Sequence, residues 1–391
     1  MLDQKTVHQQ NLYLYSGALL AYAFYYISRI PMDYGSCPLC DAHQYTLVYR
    51  FFEEGFFSQI KFPYYNRPLV PWLASLIPDT AIRTHFDIIN FGFFLISIVA
   101  IRQLWLELKI NFLFQVLGFA WLCIHWTGII RYNLHDNITV DVPVYFFQAF
   151  ALLAFFQNKL KWLYLITPLA LLQKESFLAM HVVLIGLHFF DKRKTEAWKG
   201  GKHLLLSLVF AIVIQKGILS LLPEYEDQRS SIGALLYHGR WALEDPTRFA
   251  RWFAAFGLAY GVLPFIALFL FRLKRLFDFR YQTLVTLSLM YCFFGILAGE
   301  DQIRILFLGF PFIMSISLLE LQRCPRSISI PAIVLSLVSL RLYPFYIVTA
   351  WATDFAPLAY VWKWFAYFVF STLILFGIYL FQKRKIKGKG T

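Results

Sequence analysis

Apolar runs long enough to cross a hydrocarbon core recur from one end of this chain to the other. Leu204 to Leu222 and Phe365 to Phe381 are examples. A core about 30 Å thick needs about 20 apolar residues in a helix. Backbone polar groups in lipid must be satisfied within the segment, which leaves helices as the spanning form for runs of this kind. Composition agrees: of 391 residues, 59% are hydrophobic and only 15% charged. A soluble domain carries closer to a quarter charged residues. Mean hydropathy is +0.56.

The pattern predicts an all-α, polytopic membrane protein with about twelve spans. They fall near 11–30, 86–106, 112–130, 139–157, 160–173, 176–190, 203–222, 252–271, 281–298, 304–321, 328–348 and 359–381. The whole chain, 1–391, reads as a single membrane domain without a separate soluble domain. Two outer loops are long, about 31–85 and 223–251. The first apolar run has no A-x-A site after it and reads as a retained span rather than a cleaved signal.

Lysines and arginines in short loops set the expected orientation. With both termini in the cytoplasm, the basic segments around Lys159/Lys161, Lys192 to Lys194, Arg272 to Arg275, Arg323/Arg326 and Lys383 to Lys387 all fall on that side. The acids collect on the other. The net charge of +13 is therefore a topology signal, and nucleic acid is not expected as a partner. Compact size and short loops suggest a bacterial inner membrane. Of five cysteines, only Cys37 and Cys40 are close in sequence. Both fall outside, where a disulfide is stable.

The first outer loop contains an expected amphipathic interfacial helix. Tyr45, Leu47, Val48, Phe51 and Phe52 share a face, and Glu53 and Glu54 follow. Asp41 stands at its start. A carboxylate there could take a proton from an acceptor hydroxyl or hold a divalent cation, or simply cap the helix. Asp33, in Asp-Tyr-Gly, is a weaker alternative with ordinary turn chemistry. A second cluster, Arg131 to Asn137 followed by Asp141, offers His135, Asp136 and Asp141 for a metal or an acceptor. The same aspartates could instead cap the next span and pair with Arg131.

Lys174 and Glu175 lie between two short apolar segments. There they either neutralise one another or face a cavity, where Lys174 could hold the donor's lipid phosphate. Glu300, Asp301 and Arg304 sit at the outer end of a later span. Arg304 could hold a phosphate in bidentate fashion or pair with Asp301. Arg341, beside Tyr343-Pro344, is a further phosphate candidate. No Walker loop, dinucleotide fingerprint, His-Glu-x-x-His or Gly-x-Ser-x-Gly is present, which disfavours ATP-driven, nicotinamide, zincin and serine-hydrolase chemistry.

Four elements resemble the GT-C superfamily of membrane glycosyltransferases, which use polyprenyl-phosphate sugars. They are Asp-x-x-x-Tyr (Asp41, Tyr45), Arg-Pro-Leu-x-Pro-Trp-Leu from Arg67 to Leu73, Lys-Glu-Ser from Lys174 to Ser176, and Glu-Asp-x-x-Arg from Glu300 to Arg304. The resemblance implies a polyprenyl-phosphate-linked sugar as donor and a lipid or glycan acceptor at the extracytoplasmic face. It implies Asp41 as general base or metal ligand and Arg304 on the donor phosphate. Metal-dependent members often carry paired acids where this chain has Asp41 alone. A divalent cation, Mg or Mn, is thus a candidate and not a requirement. A lipid-linked polysaccharide polymerase or ligase, and a lipid or solute transporter, are the competing readings.

Overall fold

The computed structural model describes residues 4–36, 40–78, 81–191, 194–223, 231–270, 273–297, 301–342 and 356–387. Among these the fold is all-helical with no strand. The chain divides into two compact units. The first takes Met1–Lys109 and Phe119–Gly233, and the second takes Ile110–Gly118 and Ala234–Thr391.

The first unit contains α1 (Gln4–Ser28), α2 (Asp41–Glu54), α3 (Leu69–Ser75), α4 (Ile82–Glu107), the end of α5 (Phe112–Ile124), α6 (Arg131–His135), α7 (Val142–Phe156), α8 (Leu163–Gln173), α9 (Ser176–Asp191) and α10 (Lys194–Leu219). Its centre is α4 against α7, with α10 packed on α8 and α9. The short α3 bridges α2, α4 and α8. The second unit contains α11 (Ser231–Glu244), α12 (Thr247–Tyr260), α13 (Leu263–Leu270), α14 (Phe279–Leu297), α15 (Gln302–Phe307), α16 (Phe310–Leu321), α17 (Arg326–Ser339) and α18 (Leu358–Lys387). There α12 packs on α15 and α18, and α16 packs on α13 and α14.

Three helices are both long and apolar enough to cross a membrane: Ile82–Glu107, Gly200–Leu219 and Leu358–Arg384. Several other expected spans are interrupted, for identifiable reasons. The run expected at 112–130 stops at Ile124, where the chain turns through His125 to Gly128 (the Gly128 N–H donates to His125 O, 2.9 Å). A side chain on Gly128 would collide with Leu122 O. The run expected at 252–271 breaks at Gly261, whose φ of +65° ends α12 before α13 begins. The run at 304–321 divides at Leu308 and Gly309 into α15 and α16. The run at 328–348 loses its helix at Ser339, and 343–348 lie outside the described residues.

A helix stands where the interfacial one is expected, as α2. Cys40, in extended conformation, precedes it, and Asp41 occupies its first turn, where a negative charge favours the helix N-terminus. Gly55 ends it in the left-handed conformation (φ 66°), so that its N–H reaches back to Phe51 O. Ala42, Tyr45, Val48 and Tyr49 form its buried face. Ala42, Tyr45 and Tyr49 join Val70, Ala74, Phe86, Ile138 and Val140 in one apolar cluster. That cluster fixes α2 and α3 against the 138–141 segment, which sets the geometry described next.

Candidate functional site

Three of the four charged clusters expected from sequence converge in the first unit. Tyr64, from the turn before α3, donates its hydroxyl hydrogen to Asp41 Oδ1 at 2.7 Å. The Tyr64 ring meets Tyr45 edge-on, 5.2 Å between centroids. Tyr45 is fully buried, and its hydroxyl accepts from Arg67 Nη1 at 3.3 Å. Arg67 also grips Glu175 with two bonds, Nε to Oε2 at 3.0 Å and Nη2 to Oε1 at 2.7 Å. Two parallel bonds of this kind fix orientation as well as supply energy. Next along the chain, Lys174 Nζ donates to Asp141 Oδ1 at 2.8 Å.

The Lys174–Asp141 pair has a backbone reason. Lys174 ends α8 in extended conformation. The fully buried Gln173 donates its side-chain amide to Val140 O. Residues 140–141 are therefore strapped to 173–174 at two successive positions. Neighbouring side chains in extended backbone leave in opposite directions. This accounts for Lys174 and Glu175 having different partners instead of neutralising each other. Asp141 precedes α7 without making a side-chain capping bond. The capping expectation thus fails there, as it does at Asp41, which lies inside α2 with Cys40 at the cap.

A second group of polar side chains lies around Asp136. Its Oδ1 accepts from Tyr34 OH at 2.9 Å and its Oδ2 from Tyr132 OH at 3.1 Å. The Ile138 N–H donates to Tyr34 OH at 3.0 Å. Asn137 reaches Asp87 Oδ1 at 3.2 Å, and Arg29 pairs with Asp87 Oδ2 at 2.7 Å. Arg131 forms an ion pair with neither Asp136 nor Asp141. It lies over the rings of Trp126 and Tyr25, at 4.8 and 5.2 Å. His135 donates its Nδ1 hydrogen to Ile30 O at 2.6 Å, which ties α6 to the chain leaving α1. Asp33 is exposed, and its Oδ1 accepts from the Gly35 N–H at 3.0 Å, the turn chemistry expected of it.

Electrostatics follow the contacts. Burial would by itself raise the Glu175 carboxyl, but Arg67 outweighs it and holds that group below the usual carboxylate range. Burial, and then the Asp41 charge, pushes the Tyr64 phenol up. Burial and Asp136 do the same to Tyr34. Both phenols therefore stay protonated and act as donors to carboxylates at neutral pH.

The remaining expected residues belong to the second unit. Arg304 pairs with Asp301 at 3.2 Å, both largely buried, from adjacent turns at the start of α15. Glu300 lies outside the described residues, as does Cys37. Cys40 is disulfide-bonded. Arg341, expected within an apolar span, falls in the turn after α17 with an exposed side chain. Among the described residues no group of three or more His, Cys, Asp or Glu side chains could hold a metal ion. The neighbours identified for Asp41 and Glu175 are phenols and a guanidinium.

Several participants escaped sequence reading. Asp87 is an acid within a long apolar helix, and that alone is a usable signal. Tyr34 and Tyr64 carried none, because tyrosines are abundant here and typical of membrane interfaces. No family model matches the chain, and no curated protein or solved structure matches it either.

Proposed function

We propose that the first unit carries the acceptor side of a membrane glycosyltransferase. It would move a sugar from a polyprenyl-phosphate donor to a lipid or glycan hydroxyl, at the extracytoplasmic face if both termini are cytoplasmic. One observation carries the reading. Asp41, on the first turn of the interfacial helix, lies in a connected set of groups (Tyr64, Tyr45, Arg67, Glu175) whose direct contacts bridge up to 108 residues of sequence. Elements so distant in sequence are held in register at considerable entropic cost, which fits a working surface better than a helix cap.

In this mechanism Asp41 accepts the proton of the acceptor hydroxyl as that oxygen attacks the anomeric carbon. Tyr64 orients the carboxylate. The departing phosphate gathers negative charge and needs a cation, a role the sequence resemblance assigns to Arg304. Attack opposite the leaving phosphate inverts the anomeric centre. Replacing Asp41 with Asn keeps the shape and removes the base. In proteoliposomes charged with a polyprenyl-phosphate sugar, transfer should fall at least about 100-fold. Undiminished turnover in that variant would remove Asp41 from the mechanism.

A transporter draws on a different observation, the charged break between α8 and α9 at Lys174 and Glu175. Broken helices bearing charge are common at transport sites. Solute uptake by proteoliposomes without any glycosylated product would favour it.

A further inference from the structure

A second surface of the first unit gathers arginines beside exposed aliphatic side chains. Three arginines collect where the end of α1, the stretch 29–34 and α6 meet. Arg29 is neutralised by Asp87. Arg83 and Arg131 are not: among the described residues neither has a carboxylate within ion-pair distance. Arg131 makes one hydrogen bond, from Nη1 to Ile124 O at 3.3 Å. Its guanidinium is instead held by the faces of Trp126 and Tyr25. Ring stacking fixes a guanidinium without consuming its N–H donors.

Arg83 is positioned in a similar way. It lies over the Tyr34 ring at 4.6 Å and donates once, to Met32 O at 2.9 Å. Met32 in turn donates its N–H to His135 O at 2.8 Å. His135 is one turn after Arg131 on α6, and its ring is 5.9 Å from Trp126. Arg83 and α6 therefore hold the same short strap, and both present unneutralised positive charge beside it.

The surroundings are apolar and open. Ile27 is 84% exposed, Ile30 80% and Ile124 44%. Exposed aliphatics next to a guanidinium with unused donors suit one kind of ligand well. A chain covers the isoleucines, and an anionic head meets the guanidinium. We infer that Arg131, supported by Trp126, Tyr25 and Arg83, binds the phosphate head of a lipid. The planar fork of Arg131 matches two phosphate oxygens. The lipid could be a bilayer phospholipid or the phosphate-bearing polyprenyl chain, and the test separates them. The inference does not depend on sugar transfer.

Trp126 supplies the reporter. The full chain in detergent micelles is titrated with phosphatidylglycerol brominated in its acyl chains, which quenches nearby tryptophan. The quenching that is lost in Trp126→Phe belongs to this site. Arg131→Gln should lower the apparent affinity for that component about tenfold, while Arg131→Lys recovers part of it. Brominated phosphatidylcholine should compete poorly. Farnesyl phosphate displacing the brominated lipid at much lower concentration identifies the polyprenyl source, and equal competition identifies a general phospholipid site. Arg83→Gln gives a second and smaller loss if Arg131→Gln fails to fold. Equal affinity in wild type and in the arginine variants overturns the assignment. If the wild type transfers no sugar in proteoliposomes yet Arg131→Gln still loses lipid, the transferase reading fails and this one stands.

Discussion

Partly buried ion pairs are built differently in the two units. In the first, Arg67 and Glu175 are 108 residues apart, Arg29 and Asp87 are 58 apart, and Lys174 and Asp141 are 33 apart. In the second, Arg304 and Asp301 are three apart, as are Arg323 and Glu320. Arg275, which also meets Glu320, comes from a more distant element. A local pair forms as soon as its helix does and stabilises a helix end. A non-local pair forms only when the unit has folded, so its geometry reports tertiary structure. The concentration of distant pairs around α2, α3 and the α8–α9 break is what separates a candidate working surface from ordinary helix support.

The sharpest way to break this contrast is at Arg67. Its removal leaves Glu175 without its bidentate cation and takes one hydrogen bond from the Tyr45 hydroxyl. Loss of one partner of a buried pair costs about 3–5 kcal/mol. Arg67→Ala should therefore destabilise the protein more than any local pair does, as read by thermal unfolding in detergent. The double exchange of Arg67→Glu with Glu175→Arg should recover part of the loss. If Arg67→Ala unfolds at the wild-type temperature, the pair is not what holds α3 to the α8–α9 break.

The same pair gives a pH dependence of definite sign. Glu175 is held below the ordinary carboxylate value of about 4.3. Its contribution is thus fully present above that value, and it is lost as pH falls through the lower folded value. Wild type and Glu175→Gln should differ most in unfolding temperature at pH 6 to 7 and converge only as pH falls through the lowered folded value. A difference that grows on acidification would contradict the assignment of Arg67 as the dominant partner.

Gly261 tests the second unit with a smaller effect. Its φ of +65° lies where side chains are rarely tolerated, and a Cβ there would meet Ser336 Cβ at 2.6 Å. Ser336 Oγ also accepts the Val262 N–H at 3.0 Å, closing the turn between α12 and α13. Gly261→Ala should cost about 2 kcal/mol, through backbone strain and the displaced serine. An unchanged unfolding temperature would mean that the turn relaxes without losing its hydrogen bond.

What was legible in sequence follows the same division. The helical class and α2 with Asp41 at its start can be read from period and spacing, because those signals are local. Asp41, Asp141, Lys174 and Glu175 can be selected as candidates, since charge in an apolar chain is rare, while Tyr45 and Arg67 enter through the resemblance. Their partners cannot. Adjacency pairs Lys174 with Glu175, whereas the extended backbone at Lys174 sends them to Asp141 and Arg67. Apolar length also misleads where a glycine ends the helix, as at Gly261. The apolar run continues past it, while the helix stops because of a backbone dihedral that hydropathy does not encode.

The smallest expected effect provides the control for the whole comparison. Arg240 and Glu244 form an i,i+4 pair on α11 at 2.6 Å, with side chains 81% and 58% exposed. The distance is as short as in any buried pair of the first unit. Water already solvates both groups, however, and the side-chain entropy lost on pairing offsets most of the attraction. Arg240→Ala should therefore leave the unfolding temperature unchanged within error, and added salt should not alter that result. If Arg240→Ala destabilised as much as Arg67→Ala, proximity alone would set the energy of these pairs. The distinction between non-local buried pairs and local exposed ones would then lose its meaning, and with it the reason for placing the working surface around α2 and α3.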